Sequence, residues 1–104
     1  MQKTAIIIPC YNEARRLKGE EFVFAAKGNS ELHFFFVDDG STDGTREKLA
    51  ALCSANPLQM KLIGLDNNSG KAEAVRVGFL KAFASGYGNI GYWDADLATP
   101  LGVI

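Results

Sequence analysis

Two aspartates, Asp94 and Asp96, stand one residue apart in the stretch GYWDADLATP. In an extended chain both side chains point to one side, with Cα atoms about 6.5 Å apart. Carboxylates this close repel each other unless a cation, a shared proton or water relieves the repulsion. Mg²⁺ or Mn²⁺, which prefer oxygen ligands, would do so and could then bind a diphosphate. An exposed loop with two hydrated aspartates is the alternative, and the triplet alone does not exclude it.

A second acidic pair, Asp38 and Asp39, ends the apolar run LHFFFVDD and precedes the turn residues GSTDG. Neighbouring residues of a strand point to opposite faces, so we expect the two to have different tasks. One carboxylate would accept hydrogen bonds from a nucleobase, while the other caps the turn or the following helix. In the alternative interpretation, both simply end the strand and cap the helix.

Lys71 follows Gly70 at the start of a helical pattern, directly after a polar loop. Free amides at a helix start attract anions, and a lysine adds a mobile positive charge. The spacing is not that of a P-loop, because Ala72 follows the lysine. A hydrated lysine in a first helical turn is the alternative to a phosphate contact.

Strand and helix patterns alternate along the chain and position these clusters. The predicted strands are 4–8, 32–39, 60–65 and 89–96, and the predicted helices are 13–28, 45–55 and 71–86. This order predicts a Rossmann-like α/β fold, with a mostly parallel four-stranded sheet covered by helices on both faces. The carboxyl ends of parallel strands share one edge, so the polar clusters PCYNE, DDGSTDG and DADLATP should converge there.

Local signals within the helices give more specific expectations. Asn12 is a candidate cap for the first helix. Ala72, Val75, Phe79 and Phe83 recur near the helical repeat and are expected to form the buried face of the third helix.

Composition limits the protein to a few classes. The chain has 104 residues, 47% of them hydrophobic, and a formal net charge of −1, which fits one small globular domain. No basic stripe indicates nucleic-acid binding, and no apolar run approaches the roughly 18 residues of a membrane span.

Cys10 and Cys53 are expected to be free thiols of a cytoplasmic protein, although the sequence also permits a disulfide. We expect His33, the single histidine, to be structural or exposed.

Four segments together resemble a known family. IIIPCYNE, VDDGSTDGT, NSGKAEAVRVGF and YWDADLATP have the order and spacing of family 2 glycosyltransferases with the GT-A fold. DADLATP is especially similar to the branch that transfers sugars to polyprenyl or dolichyl phosphate. The resemblance covers nearly the whole chain and implies a UDP- or GDP-hexose donor.

The resemblance also implies roles for individual residues. Pro9, Tyr11 and Glu13 would line the nucleotide pocket. Either Asp38 or Asp39 would recognise the base.

Beyond the base, Lys71 would lie near the nucleotide or its phosphates. Asp94 and Asp96 would be the catalytic pair, with Asp96 as the direct ligand of Mg²⁺ or Mn²⁺. Asp94 would share in holding the metal and lie nearer the ribose or donor sugar. Asp66 to Ser69 would shape the pocket.

Two departures from the family pattern qualify these expectations. Some polyprenyl-phosphate mannosyltransferases carry a Gln two residues after the second Asp, where this chain has Ala98. Water would then complete the metal coordination, or the donor differs; the pattern favours a glucosyltransferase-like site. The chain is also shorter than the family's catalytic domain. Residues 1–104 are therefore expected to be its donor-binding half, without the acceptor half and the general base.

The leading hypothesis is a metal-assisted, inverting hexosyltransferase that acts on a polyprenyl-phosphate or saccharide acceptor at the cytoplasmic face of a membrane. A non-catalytic nucleotide-binding module is the second hypothesis. A nicotinamide-cofactor enzyme ranks third, because PCYNEARR stands where G-x-G-x-x-G should follow the first strand. An uncovered sheet edge and apolar surface predict self-association as a homodimer.

Overall fold

A computed structural model describes residues 3–93, in which strands and helices alternate without exception. The elements are β1 (Thr4–Cys10), α1 (Gly19–Gly28), β2 (Leu32–Asp39), α2 (Thr45–Ala55), β3 (Met60–Leu65), α3 (Lys71–Ala84) and β4 (Asn89–Tyr92). All strand pairs are parallel, and the order across the sheet is β3-β2-β1-β4. The predicted α/β architecture is confirmed.

The central strands β1 and β2 are apolar on both faces because helices cover both faces. Ile6, Ile8, Phe34 and Phe36 belong to a core cluster with residues of α1 and α2. Ile7, Phe35 and Val37 belong to a second cluster with residues of α3. The strand alternation therefore divides the core into two layers.

The first helix starts later than predicted. Glu13 and the residues after it form a turn, with the amides of Arg16 and Leu17 donating to the Glu13 carbonyl oxygen, and α1 begins only at Gly19. Asn12 does not cap this helix. Its φ is +51°, and its side chain bonds to the loop after β2. The cap prediction is wrong because a long-range partner takes the side-chain oxygen.

The buried face of α3 also differs from the prediction. Its buried residues are small, namely Ala74, Gly78 and Ala82. Phe79 and Phe83 are 46% and 68% exposed, with their rings stacked at a centroid distance of 6.4 Å. The small residues bring α3 so close to the sheet that no larger side chain fits beneath it.

Both cysteines are free thiols, as expected. Burial raises the pKa of the Cys10 thiol well above its ordinary range, and burial raises the pKa of Cys53 to about 11. Both thiols therefore stay protonated and unreactive near neutral pH. Within residues 3–93, no helix combines the length and hydropathy needed to cross a membrane.

Candidate active site

The carboxyl ends of the four parallel strands lie along one edge of the sheet. Cys10 is aligned with Asp38, and Ile7 is aligned with Tyr92. The amide of Trp93 still donates to the carbonyl oxygen of Ile7 at 3.0 Å, so the course of β4 continues to this residue. The predicted convergence is present for PCYNE and DDGSTDG. Asp94 and Asp96 lie outside the described residues.

Asp38 and Asp39 point to opposite faces, as the alternation predicts. Asp38 is fully buried and accepts a hydrogen bond from Arg46 Nε at 2.6 Å. The same guanidinium donates to the Leu65 carbonyl oxygen at 2.6 Å. It also passes directly over Gly64, where the Cβ of any other residue would lie only 2.9 Å from Arg46 Cζ. Among the described residues, Asp38 Oδ1 has no hydrogen-bond partner.

The side chain of Asp39, the last residue of β2, lies at the N-terminal end of α3. Its carboxylate accepts hydrogen bonds from the amides of Ser69 and Gly70, at 2.7 and 2.9 Å, and from Asn68 Nδ2 at 3.0 Å. Asp39 therefore binds the two residues directly ahead of α3, and not the start of α2, the helix that follows it in the chain. The anion at this end of α3 is thus a carboxylate of the same chain.

Gly40 brings the loops after β2 and β3 into direct contact. Its φ is +70°, and a Cβ there would lie 2.5 Å from the Asn68 nitrogen. Only glycine combines this backbone conformation with so close an approach. Together with Asp39, Gly40 fixes the position of loop 66–70.

Lys71, the first residue of α3, lies beside the end of β4. Its ammonium group is 5.8 Å from the ring centroid of Tyr92, within the range of a cation–π interaction. Tyr92 is 57% exposed, and sequence reasoning gave it no role. The available signal was an aromatic residue two positions before Asp94. The contact places a lysine next to the strand that leads into the acidic pair.

The first-strand motif contributes side chains of unequal exposure. Pro9 is half-buried and aligned with Val37, whereas Tyr11 is 43% exposed. Glu13 is half-buried and lies 3.1 Å from the Arg16 guanidinium. Tyr11 is therefore the member of this motif that offers most surface to a ligand.

Asn12 joins the loop after β1 to the loop after β2. Its amide donates to Ser41 Oγ, and its Oδ1 accepts from the Thr42 amide, both at 2.9 Å. The Glu13 amide donates to Thr45 Oγ1 at 2.8 Å. Sequence reasoning missed this role, although asparagine between Tyr11 and Glu13 is a residue that tolerates a positive φ.

Asp43 fixes the start of α2. Its Oδ1 accepts from the Thr45 amide at 2.9 Å and also from the Thr45 hydroxyl. The hydroxyl contact is the main reason that the pKa of Asp43 is lowered. Asp43 is thus the residue of the turn GSTDG that orders the first turn of this helix.

Residues 3–93 contain no group of three or more His, Cys, Asp or Glu side chains placed to hold a metal ion. Asp38 and Asp39 are engaged by Arg46 and by the start of α3. A groove with a volume of about 330 Å³ lies between α1 and α2, and none of the candidate site residues lines it. The carboxyl edge of the sheet is therefore the candidate site.

Residues 5–103 match the family profile described as glycosyl transferase family 2. Among curated proteins, dolichyl-phosphate beta-glucosyltransferase of Saccharomyces cerevisiae is 36% identical over 73% of this chain. Polyprenol monophosphomannose synthase of Mycolicibacterium smegmatis is 31% identical over 91% of it. The match spans 25% of the yeast protein and 36% of the mycobacterial one.

Solved structures of glycosyltransferases are also similar to this chain. Mannosyltransferase PcManGT from Pyrobaculum calidifontis, in complex with GDP-Man and Mn²⁺, aligns with a TM-score of 0.69 and 28% identity over 91% of this chain and 28% of its own. Staphylococcus aureus TarS in complex with UDP aligns with a TM-score of 0.68 and 25% identity over 90% of this chain and 27% of its own.

Proposed function

Because this chain belongs to glycosyl transferase family 2, we propose that residues 1–104 form the donor-binding part of a hexosyltransferase. The donor would be a UDP- or GDP-hexose, and the acceptor a polyprenyl phosphate or a saccharide. Two relatives are named for sugar transfer to or from dolichyl and polyprenol phosphates, which supports this acceptor class.

One observation carries the proposal: three loops at the carboxyl edge are held together by hydrogen bonds and close packing. They are the loops after β1, β2 and β3, joined through Asn12, Gly40 and Asp39. Ligands of open α/β sheets bind at this edge. PcManGT holds GDP-Man with Mn²⁺, and TarS holds UDP, in the structures that share this fold.

Asp39 is the better candidate for recognition of the base. Its Oδ1 accepts one amide hydrogen bond, and a carboxylate oxygen can accept a second. Asp38 is enclosed on the α2 face, where Arg46 neutralises it. Pro9, Tyr11 and Glu13 would form the adjoining wall of the pocket, with Tyr11 contributing the most exposed side chain.

The phosphates would be contacted by the ammonium group of Lys71. The amides of Ser69 and Gly70, just ahead of α3, are already bound by Asp39. The charge of Lys71 lies beside Tyr92 near the end of β4. This placement suits a diphosphate lying against the start of α3 and the end of β4.

Asp94 and Asp96 would hold Mg²⁺ or Mn²⁺. Two carboxylates separated by one residue are a suitable donor set for such a hard cation, and the other acidic side chains of this edge, Asp38 and Asp39, are engaged elsewhere. When bound, the metal would neutralise the diphosphate leaving group. The chain's own contribution is to bind and orient the donor, for a transfer that we propose proceeds with inversion.

Nucleotide binding without transfer is the second candidate for these residues. Within the described part of the chain, His33 is the only imidazole, and it lies in β2 hydrogen-bonded to Tyr87, at 2.9 Å. It is aligned with Ala5 near the amino end of β1, away from the candidate site. His33 is therefore not placed to act as a general base. Sugar transfer catalysed by the 104 residues alone would exclude this second candidate.

Two further features complete the proposal. We propose a cytoplasmic location, with the full enzyme at the cytoplasmic face of a membrane; the free thiols Cys10 and Cys53 are compatible with a reducing compartment. We also propose that the chain forms a homodimer through the α3 apolar face, defined as Phe79, Leu80 and Phe83, which are 46%, 50% and 68% exposed.

Calorimetric titration with UDP-glucose and GDP-mannose, each with and without Mn²⁺, tests the donor site. We expect metal-dependent binding of one donor, and a loss of affinity of at least about tenfold in Asp96→Ala. Glu21→Ala, which removes an exposed carboxylate of α1, is the matched control and should bind normally. A folded chain that binds neither donor would contradict the proposal.

A further inference from the structure

We propose that Asn12 is a positioning residue that couples the three loops of the candidate site into one unit. It would act on the nucleotide through these loops and not by direct contact. The inference rests on the proposed function, because it assigns this coupling to nucleotide binding.

The backbone of Asn12 adopts a conformation that few residues tolerate. Its φ of +51° lies in the left-handed region, which asparagine enters more readily than most residues with a side chain. In this conformation its amide donates to Ser41 Oγ while its Oδ1 accepts from the Thr42 amide, both at 2.9 Å. One residue thus satisfies a donor and an acceptor of a segment about thirty positions away.

The neighbouring residues strengthen the same junction. The Glu13 amide donates to Oγ1 of Thr45, which is fully buried, and Lys48 Nζ donates to the Ala14 carbonyl oxygen at 2.8 Å. The loop after β1 is therefore attached to the start of α2 at several points. Tyr11, directly before Asn12, derives its position from this attachment.

The attachment continues to the third loop. Gly40 packs against Asn67 and Asn68, and Asp39 binds the amides of Ser69 and Gly70. Lys71 follows at once. A shift of residues 40–42 after loss of the Asn12 bonds would therefore move both the base-recognition carboxylate and the phosphate-contacting lysine.

Three substitutions at Asn12 separate its two properties. Asn12→Gly permits the positive φ but removes the acceptor for the Thr42 amide. Asn12→Asp keeps an acceptor oxygen and the tolerance for this backbone conformation. Asn12→Ala removes the acceptor and is strained at this φ.

Gln59→Ala is the matched control. Gln59 Nε2 donates to the carbonyl oxygens of Ala26, Asn29 and Leu32, at 2.8, 2.9 and 2.8 Å. It precedes β3, at the amino end of the sheet. This variant loses structural hydrogen bonds without touching the candidate site, so it measures what destabilisation alone does.

The experiment has two readouts for each variant, taken well below its thermal midpoint. The first is the dissociation constant for UDP and for GDP with Mn²⁺. We expect Asn12→Gly to lose affinity about fivefold, which is the effect of one hydrogen bond, and Asn12→Ala to lose more. The dissociation constants of Asn12→Asp and Gln59→Ala should stay within about twofold of the wild-type value.

The second readout is amide hydrogen exchange at Thr42, Ser69 and Gly70, measured without nucleotide. Asn12→Gly should speed exchange about fivefold or more at all three positions, and Gln59→Ala at none. Unchanged exchange at Ser69 and Gly70 in Asn12→Gly would overturn the inference. Failure of the wild type to bind either nucleotide would overturn the proposed function, while the exchange data would still decide whether Asn12 couples the loops.

Discussion

Two adjacent aspartates acquire different chemistry from a single feature of the backbone, the alternation of side chains along β2. Asp38 faces α2 and pairs with Arg46, whereas Asp39 faces α3 and binds the amides at its start. Both are almost completely buried, at 0% and 3% exposure, and a buried carboxylate is tolerated only when it is paired or hydrogen-bonded. Their roles at the site follow from these two environments.

The division of tasks was predictable from the sequence, but the partners were not. Alternation is a local property of any strand, so DD at a strand end predicts two orientations. Arg46 is 8 positions from Asp38, and Asn68 is 29 positions from Asp39. Such pairings depend on how α2 and α3 cross the sheet, which no local pattern specifies.

His33 should make the stability of the fold depend on pH. Burial, followed by the charge of Lys3, lowers the pKa of this imidazole below its ordinary value of 6.5. The unfolded chain therefore takes up a proton at a higher pH than the folded one. Stability is full above about pH 6.5 and falls as the pH is lowered through that value.

Urea unfolding between about pH 7.5 and 5.5 measures this dependence. His33→Gln removes the titrating group and should reduce the decline of the free energy of unfolding over that range. Tyr87→Phe removes the hydrogen bond to His33 but keeps the imidazole, so its decline should persist. An equally steep decline in His33→Gln would show that other groups cause it.

At the scale of the elements, apolar runs with β-branched or aromatic residues were the most informative signal. The predicted strand 32–39 coincides with β2, and the predicted helix 45–55 coincides with α2. The helix is bounded by turn chemistry that acts locally, namely Asp43 before α2 and Asn56 after it, and the strand is marked by its uninterrupted apolar run. These two elements are predictable because the signals that specify them lie within the segments or directly beside them.

The third helix shows where periodicity fails. A prediction from hydrophobic side-chain size puts Phe79 and Phe83 on the buried face of α3. In the structure, the residues that face the sheet are Ala74, Gly78 and Ala82. The distance between helix and sheet decides which face fits, and it depends on the small residues of α3 together with the side chains of β1 and β2 that they contact. The same limitation explains the delayed start of α1, since the position of Asn12 depends on the loop after β2.

Gly78→Ala should destabilise the fold although alanine is the better helix former. A Cβ at this position would lie 2.5 Å from Ile7 Cγ2 and 3.0 Å from Val37 Cγ2. Overpacking of this kind outweighs the gain in helix propensity of about 1 kcal/mol, so we expect a net loss of about 1 to 2 kcal/mol in the free energy of unfolding.

Gly28→Ala is the control for this substitution in denaturant unfolding. Gly28 ends α1, and nothing lies within 4 Å of a Cβ built there. This variant should be neutral or slightly more stable than wild type. If Gly78→Ala were also neutral, the close packing of α3 on β1 and β2 would be refuted.

At the scale of the whole molecule, the two ends of the sheet serve different purposes. Near the amino end, the Gln59 amide and the pair of His33 and Tyr87 join elements through polar contacts. At the carboxyl end, the loops are joined to each other and still expose Tyr11, Lys71 and Tyr92. The polar contacts near the amino end therefore serve the fold alone, whereas the carboxyl end combines joined loops with exposed side chains at the edge where we propose that the nucleotide binds.

The α3 apolar face leads to a prediction for the molecule as a unit. Three neighbouring large apolar side chains, each about half exposed or more, are energetically costly in water. Burying them against a second copy of the chain would remove this cost. Sedimentation equilibrium should therefore detect a homodimer, and Phe83→Glu should weaken it by about tenfold or more, because a charge would then be buried without a partner.

Phe24→Glu is the control that distinguishes a specific dimer interface on α3 from nonspecific hydrophobic association. Phe24 is 81% exposed, more than any residue of the α3 apolar face, but it lies on α1. Because the two helices contact opposite faces of the sheet, a dimer formed through α3 should be unaffected by a charge on α1. Equal weakening by both variants would indicate nonspecific association. A wild-type chain that stays monomeric at every concentration tested would show that the α3 apolar face does not form a dimer interface.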